Sequence, residues 1–233
     1  MSWVKNTLSS SIGQKIVMSV TGLFLITFLI IHLIGNISLL YVDGEKFNQY
    51  AHFMKYNPVI AVFEYVLFAG FIVHIYQGIC LIIKNKKARS QGYAIAHKHD
   101  KVSFTSKYTG QFGLVILVFF ILHLIDFFSF KFFRELDIEN AKVIYDGVEM
   151  PNLFGKVVEV YQQSPVHWII YPLSMLIIAF HLHHGFQSAF QSLGINHKKY
   201  TPMIKTIGLV YAIVIPFGFA IIPILIKFGI TIG

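Results

Sequence analysis

Five long apolar segments constrain this chain more than any other feature of its sequence. Each is at least as long as the stretch of roughly 20 predominantly apolar residues that a helix needs to cross the hydrocarbon core of a bilayer. The chain of 233 residues is 55% hydrophobic, with a mean hydropathy of +0.64, which is typical of a polytopic membrane protein. We therefore predict an all-α integral membrane protein that forms a single membrane domain over residues 1–233. The five predicted transmembrane helices cover about residues 14–40, 59–83, 109–131, 167–190 and 206–229.

The first segment and the cysteine content narrow the class further. No small-x-small cleavage site follows Leu40, so we expect the first span to remain as an anchor. Cys80 is the single cysteine, which makes an internal disulfide impossible. No CxxCH motif occurs, and this excludes covalent haem attachment of the usual kind.

The distribution of charge predicts the orientation. Twelve of the 19 Lys and Arg residues lie in the N-terminal arm and in the second and fourth connections, about 84–107 and 198–205. Of the acidic residues, Asp100 alone is on that side. The positive-inside rule then places the N-terminus in the cytoplasm and the C-terminus outside. Because the basic residues flank spans, the net charge of +8 is a topology signal and predicts no nucleic-acid partner.

The third connection is the long one, about residues 132–166. It mixes charged and apolar residues, with Gly147 and Pro151 as breakers. This pattern predicts a short amphipathic helix lying on the outer surface.

Histidines inside the spans point to function, because ionisable groups are costly at membrane depth. His32 and His123 each lie about eight residues from the outer ends of spans one and three. His74 and His181 each lie about nine residues from the inner ends of spans two and four. They form an outer pair and an inner pair, about 10 Å apart at the helical rise of 1.5 Å per residue.

Local motifs repeat this pairing. His74 and His181 each begin an HxxxG string that ends at Gly78 and Gly185, whereas His32 and His123 are both followed by Leu-Ile. A glycine at i+4 lies on the same helix face as the histidine, and it removes the side chain that would collide with a flat porphyrin. Four of the five helices are thus expected to form a haem-binding bundle with two bis-histidine haems, one above the other.

The cluster His181-Leu-His-His184 requires a choice of ligand. His181 has the glycine at i+4 and the matching depth, so we predict that it binds iron. His183 points nearly opposite on the helix, and its i+4 residue is Gln187. His184 is the rival ligand, because it lies within about 60° of His181 on the helix wheel.

Further polar residues are candidates for contacts to a quinone or to a haem propionate. They are Asn36, Asp126, His167 and His184.

The combination of motifs resembles the diheme cytochrome b membrane subunit of succinate dehydrogenase or fumarate reductase, in its single-chain five-span form. The resemblance covers about residues 10–205. The residues that carry it are Ser11-Ile-Gly-Gln-Lys-Ile-Val-Met-Ser-Val-Thr-Gly22, His32-Leu-Ile-Gly-Asn36, His74-x-x-x-Gly78, His123, His181-x-x-x-Gly185 and Ser192-Leu-Gly-Ile-Asn-His-Lys-Lys-Tyr200.

The resemblance implies ligand sets, partners and a location. His74 and His181 would bind the haem b nearer the catalytic subunits, and His32 and His123 the distal one. A flavoprotein subunit and an iron–sulfur subunit would dock on the cytoplasmic face, and electrons would pass between them and a membrane quinone, namely menaquinone. The chain itself would have no catalytic residues for succinate. It would lie in a bacterial cytoplasmic membrane, within a heterotrimer that can dimerise.

Three other readings stay open on the sequence. One is the diheme quinol-oxidising cytochrome of another respiratory complex, such as nitrate reductase, although its ligands cluster on two spans. Another is a histidine-lined metal transporter, which would need carboxylates or thiols along its path. The last is a haemless membrane anchor in which the histidines only pack.

Overall fold

The computed structural model of the protein describes residues 6, 9–88, 103–128 and 142–231. These residues form seven α-helices and one β-hairpin, joined in part by single turns. A 3-10 turn, Ser38–Leu40, follows the first helix, and a π-helical turn, Leu124–Phe128, follows the fourth. The elements are α1 Ser11–Ile37, α2 Glu45–Tyr56, α3 Pro58–Ala88, α4 Phe104–His123, β1 Lys142–Tyr145, β2 Val148–Pro151, α5 Leu153–Gln163, α6 Pro165–Ser192 and α7 Thr201–Lys227.

Five helices are long and apolar enough to cross a membrane, namely α1, α3, α4 with its π turn, α6 and α7. The prediction of a five-span, all-α membrane protein is therefore confirmed. The helices begin up to five residues before the predicted limits, since polar residues at their ends extend the helical hydrogen bonding. The predicted end of the third span, residues 129–131, lies outside the described residues.

Short polar side chains and prolines fix where the long helices begin. The Ser10 hydroxyl accepts a hydrogen bond from the Gly13 amide at 3.0 Å, and the Ser103 hydroxyl accepts one from the Ser106 amide at 3.3 Å. Such N-caps satisfy amides that have no partner within the helix. Pro58 and Pro165 stand at the first helical positions, where the missing N–H costs nothing.

Four of the long helices form a bundle, and α7 packs on its outside. In the bundle α1 contacts α3 and α6, and α4 contacts α6 and, less extensively, α3. Consequently α1 lies diagonally opposite α4, and α3 lies diagonally opposite α6. We call the end of the bundle that carries α2, the hairpin and α5 the outer end, and the opposite end the inner end, following the predicted orientation.

Glycines bring α7 close to the bundle. A Cβ atom on Gly208 would lie 2.7 Å from the ring of Phe186 on α6, and one on Gly218 would lie 2.8 Å from Leu33 on α1. The Tyr211 hydroxyl also donates a hydrogen bond of 2.6 Å to the Ile26 carbonyl of α1. Small residues let helix backbones approach closely in a membrane, and α7 thereby braces α1 and α6.

The bundle is packed unevenly. Within their most apolar windows, α3 and α4 contain no buried residue, whereas 28% of the α7 window is buried. Large apolar side chains such as Val62, Ile72 and Phe217 are more than 60% exposed. Faces of this size and polarity require lipid around them, so the protein is a multi-pass membrane protein.

A folded layer, which we call the outer cap, covers the outer end and consists of α2, the hairpin and α5. The amphipathic helix predicted in the third connection is present as α5. The sequence analysis did not foresee α2 or the hairpin. The hairpin turns through Asp146 and Gly147, whose φ angles of 50° and 75° suit a two-residue turn between antiparallel strands.

The cap lies over the main hydrophobic core of the described residues. That core joins the end of α1 and its 3-10 turn to α5, α6 and α7. Its buried members are Leu33, Leu39, Leu40, Val157, Tyr161, Tyr171, Ile222 and Ile226.

Asn48 holds the parts of the cap together. It is 1% exposed, its amide donates to Asn152 Oδ1 at 3.2 Å, and its Oδ1 accepts from the Phe154 amide at 2.9 Å. The two bonds tie α2 to the start of α5.

We expect Asn48→Ala to loosen the outer cap, because the Phe154 N–H and Asn152 would lose their buried partner at a cost of about 1–3 kcal/mol. The measurement is thermal unfolding in detergent, together with limited proteolysis of the segment 142–163. Gln49→Ala is the matched control, since Gln49 is exposed and bonds only Glu45 on its own helix. Equal stability of the two variants would contradict the assigned role of Asn48.

Candidate functional site: two facing histidine pairs

The outer histidine pair joins two diagonally opposed helices. His32 on α1 and His123, the last residue of α4, have ring centroids 5.8 Å apart and ring planes at 84°. Aromatic rings surround them: Phe28 stacks on His32 at 5.1 Å, and Phe119 stacks on His123 at 5.9 Å. The pair therefore sits in an apolar setting at the level where α4 gives way to its π turn.

The inner histidine pair joins the other diagonal. His74 on α3 and His181 on α6 have ring centroids 6.4 Å apart and ring planes at 82°. Of the three clustered histidines, it is His181 whose ring contacts His74. His183 instead lies 3.2 Å from the Gln187 amide on its own helix, and His184 is partly buried beside it on α6.

Two glycines locate the inner pair relative to the outer pair. A Cβ atom on Gly22 would lie 3.3 Å from Cε1 of His74, and one on Gly113 would lie 3.7 Å from Cε1 of His181. Gly22 precedes His32 by ten residues on α1, and Gly113 precedes His123 by ten residues on α4. Ten residues of helix span about 15 Å. The two levels are thus farther apart than the predicted 10 Å, because that value was measured from span ends that α3 and α6 in fact pass.

A hydroxyl group orients His74. The Thr21 Oγ1 atom lies 2.8 Å from the Val17 carbonyl, to which it donates its proton, and 3.1 Å from Nδ1 of His74. Because Thr21 can donate its proton to Val17, it can accept from His74 Nδ1–H, and in that tautomer the Nε2 lone pair of His74 is available. This is the tautomer in which histidines bind metals while donating the other N–H to the protein.

The other three rings differ from His74 in the hydrogen bonding of their Nδ1 atoms. Nδ1 of His123 and Nδ1 of His181 are both buried without a hydrogen-bond partner among the described residues, although the backbone of Thr109 is close enough to influence His181. His32 Nδ1 has the Asn36 amide nitrogen at 3.4 Å. An unsatisfied buried polar atom costs about 1–3 kcal/mol, and each pair contains one ring whose Nδ1 atom has no hydrogen-bond partner among the described residues.

The donor set fits an iron atom held from two sides. Two imidazoles bound to opposite faces of one metal ion would have centroids about 6 Å apart, given metal–nitrogen bonds of about 2 Å. The described part of the chain brings no group of three or more His, Cys, Asp or Glu residues together as metal ligands. Two ligands suit an iron whose other four ligands come from a porphyrin, better than a tetrahedral site built by protein alone.

The glycines of the HxxxG strings leave room beside the inner pair. A Cβ atom on Gly185 would meet nothing within 4 Å, and one on Gly78 would meet only Met18 at 3.4 Å. The inner faces of α3 and α4 also hold no buried residue in their apolar windows. The residues of the inner level therefore fit a flat prosthetic group that lies against Gly185.

At the outer end the structure joins two of the predicted contact residues in what we call the outer polar chain. The Tyr171 hydroxyl donates to Asp126 Oδ2 at 2.7 Å, and His167 Nε2 lies 3.1 Å from the same oxygen. His167 Nδ1 lies 2.6 Å from the Ser164 hydroxyl. The other two candidates stay apart from this chain: Asn36 donates to the His32 carbonyl at 2.8 Å, and His184 lies far along α6.

Several site residues escaped the sequence analysis as functional positions. They are Thr21, Gly22, Gly113, Tyr171 and Gln77, whose buried Oε1 atom has no hydrogen-bond partner among the described residues. A signal for two of them was present. Spans one and three both contain a glycine ten residues before the histidine. This spacing lets each helix pass close to the inner histidine pair at its glycine and contribute its own histidine to the outer pair.

Comparison of the chain with protein-family models, with curated proteins and with solved structures gave no match. Fold and site together define a multi-pass membrane protein with two facing histidine pairs at two depths of one helix bundle.

Thr21→Val tests the orientation of His74. If His74 binds a metal, loss of the bond that fixes its tautomer should weaken binding at the inner pair by about 10–100-fold. The measurement is haem retention during competition with a haem-scavenging protein. Thr27→Val serves as the control, since Thr27 is exposed on the same helix and bonds only the Leu23 carbonyl. Equal retention by the two variants would show that the Thr21 bond does not matter.

Proposed function

We propose that the chain is a diheme cytochrome b that anchors a succinate dehydrogenase or fumarate reductase in a bacterial cytoplasmic membrane. It would carry electrons between the iron–sulfur subunit of that complex and a membrane quinone. The sequence resemblance implies that this quinone is menaquinone. The observation that carries the proposal is the pairing of four histidines from four helices, on both diagonals of the bundle and at two depths. Each bound haem b would supply a one-electron centre.

The protein groups then have separate tasks. His74 and His181 would hold the inner haem, with Thr21 fixing the first ring and Gly78 and Gly185 leaving room for the macrocycle. His32 and His123 would hold the outer haem among aromatic rings. The apolar bundle excludes water from both, and the chain contributes no residue to succinate chemistry.

The inner end supports a docking role. Lysines of α3, of the connection before α7 and of the start of α7 are exposed there, among them Lys86, Lys87, Lys198, Lys199 and Lys205. A basic face of this kind attracts an acidic protein surface or anionic lipid. The iron–sulfur subunit of the proposed complex would dock on it, with the flavoprotein subunit beyond, and the heterotrimer could dimerise.

The main alternative is the diheme cytochrome of a nitrate-reductase-like complex. That class takes its ligands from two spans, whereas the facing histidines here come from α1, α3, α4 and α6. Their spread over four helices favours the first proposal. A haemless anchor predicts no b-type spectrum at all.

Substituting single histidines tests the ligand sets. We expect two haems b per wild-type chain in a dithionite-reduced minus oxidised spectrum calibrated by pyridine haemochrome. His32→Ala and His74→Ala should each remove a different haem, because each ring would be one of the two histidines that hold that haem. His183→Ala, the control within the cluster, should keep both haems. A wild-type protein without haem would overturn the proposal.

A bulky residue at Gly185 tests the space beside the inner pair. Gly185→Leu should remove the inner haem but leave the fold intact, because a Cβ atom there meets nothing within 4 Å in the protein. Haem per chain and thermal unfolding are measured together. Gln191→Leu is the control, since Gln191 is exposed on the same helix and points away from the face of His181 and Gly185. Retention of both haems in Gly185→Leu would argue against a macrocycle at this position.

A further inference from the structure

The outer polar chain is a second cluster of titratable groups, next to the outer histidine pair but distinct from it. It begins at Ser164, directly before α6, and ends at Tyr171, whose ring centroid lies 6.1 Å from that of His123. The side chains of His167 and Asp126 are 26% and 18% exposed. The outer polar chain therefore extends from the outer boundary of the bundle to the edge of the redox site that we propose.

A local departure from α-helix positions the carboxylate. Asp126 lies in the π-helical turn Leu124–Phe128, and π turns of this kind occur often at functional sites. The wider turn directs Asp126 towards α6, where its Oδ2 atom meets both Tyr171 and His167. Ordinary packing of apolar spans does not require a carboxylate here, and carboxylates inside membrane helices are rare.

The titratable groups that face the Asp126–His167 pair are few. In the described residues they are Tyr171 on α6, Tyr161 on α5 and His123 on α4. Burial, with the nearby Asp126 carboxylate, raises the pKa of Tyr161 above its ordinary value, so this phenol stays protonated. Lys227 on α7 donates to the Gln162 carbonyl instead. Among the described residues, the Asp126–His167 pair thus remains as the acid–base pair that faces Tyr171 and, beyond it, His123.

We propose that the Asp126–His167 pair is the proton-binding site of the outer redox centre, and this rests on the proposed function. For each electron that reaches the centre held by His32 and His123, from a quinol or from the inner centre, the pair takes up one proton from the outer aqueous phase. The proton is bound between His167 Nε2 and Asp126 Oδ2. It returns to the outer phase when the electron leaves, so charge balances and no other bond changes.

Electrostatics gives the direction of the coupling. An added electron places negative charge near the Asp126–His167 pair, and this charge attracts a proton. The reduced state therefore binds the proton more tightly than the oxidised state. Raising the pH then disfavours reduction, and the midpoint potential of the outer centre falls, by at most about 59 mV per pH unit for one proton per electron.

The experiment is a potentiometric titration of both haems over a range of pH in the purified complex. The outer haem is identified as the one missing in His32→Ala. Asp126→Asn and His167→Gln are compared with Glu149→Gln, which removes an exposed carboxylate of the outer cap that pairs with Lys142. Redox-difference infrared spectra provide a second readout, since a change in carboxyl protonation should be visible in the wild type and absent in Asp126→Asn.

We expect the outer potential to fall with pH in the wild type and in Glu149→Gln, and to lose this dependence in Asp126→Asn and His167→Gln. If Asp126→Asn fails to retain the outer haem, His167→Gln decides. A pH-independent outer potential in the wild type, or an unchanged slope in the variants, overturns this inference alone. Absence of haem from the wild-type chain would overturn the proposed function itself.

Discussion

The presence of four imidazoles at membrane depth is the constraint on which the rest of this structure depends. A polar ring in such surroundings costs free energy unless it finds a partner. The protein provides a side-chain partner to one ring of each pair, through Thr21 to His74 and through Asn36 to His32. The opposite ring, His181 or His123, has an Nδ1 atom for which the described part of the chain offers no hydrogen-bond partner. Both pairs share this asymmetry, although they lie on different helices.

The uneven packing of the bundle also divides it into two unlike parts. Glycines let α7 approach α6 and α1 closely, at Phe186 and Leu33, so this side of the molecule is held by direct helix contact. On the other side, α3 and α4 contact each other little and have no buried residue in their apolar windows. A bundle that is braced on one side and open on the other can hold a flat group between its diagonals. Four helices packed equally tightly would leave no such space.

Much of this architecture could be predicted from periodicity and depth, but the outer cap could not. Apolar runs predict spans because lipid demands them, and histidine depth then pairs His32 with His123 and His74 with His181. The helix α2 is short and polar, and Asn48, which holds it, acts through residues more than 100 positions away. Only the Asp146–Gly147 turn was visible in the sequence as a hairpin signal. The distance between the two histidine levels was underestimated because it was counted from helix ends, which are the least certain part of such predictions.

The cap gives the two ends of the bundle different environments. The main core of the described residues lies at the outer end, where Tyr161 and Tyr171 pack with Phe127 near His123. Apolar cover shields the outer histidines from bulk water, and a low dielectric strengthens the effect of any charge placed beside them. Asp126 and His167 supply such a charge under this cover. The inner end instead presents exposed lysines, as expected if a partner protein completes that surface. The outer cap and the outer polar chain at one end, and exposed lysines at the other, give the bundle two chemically different ends.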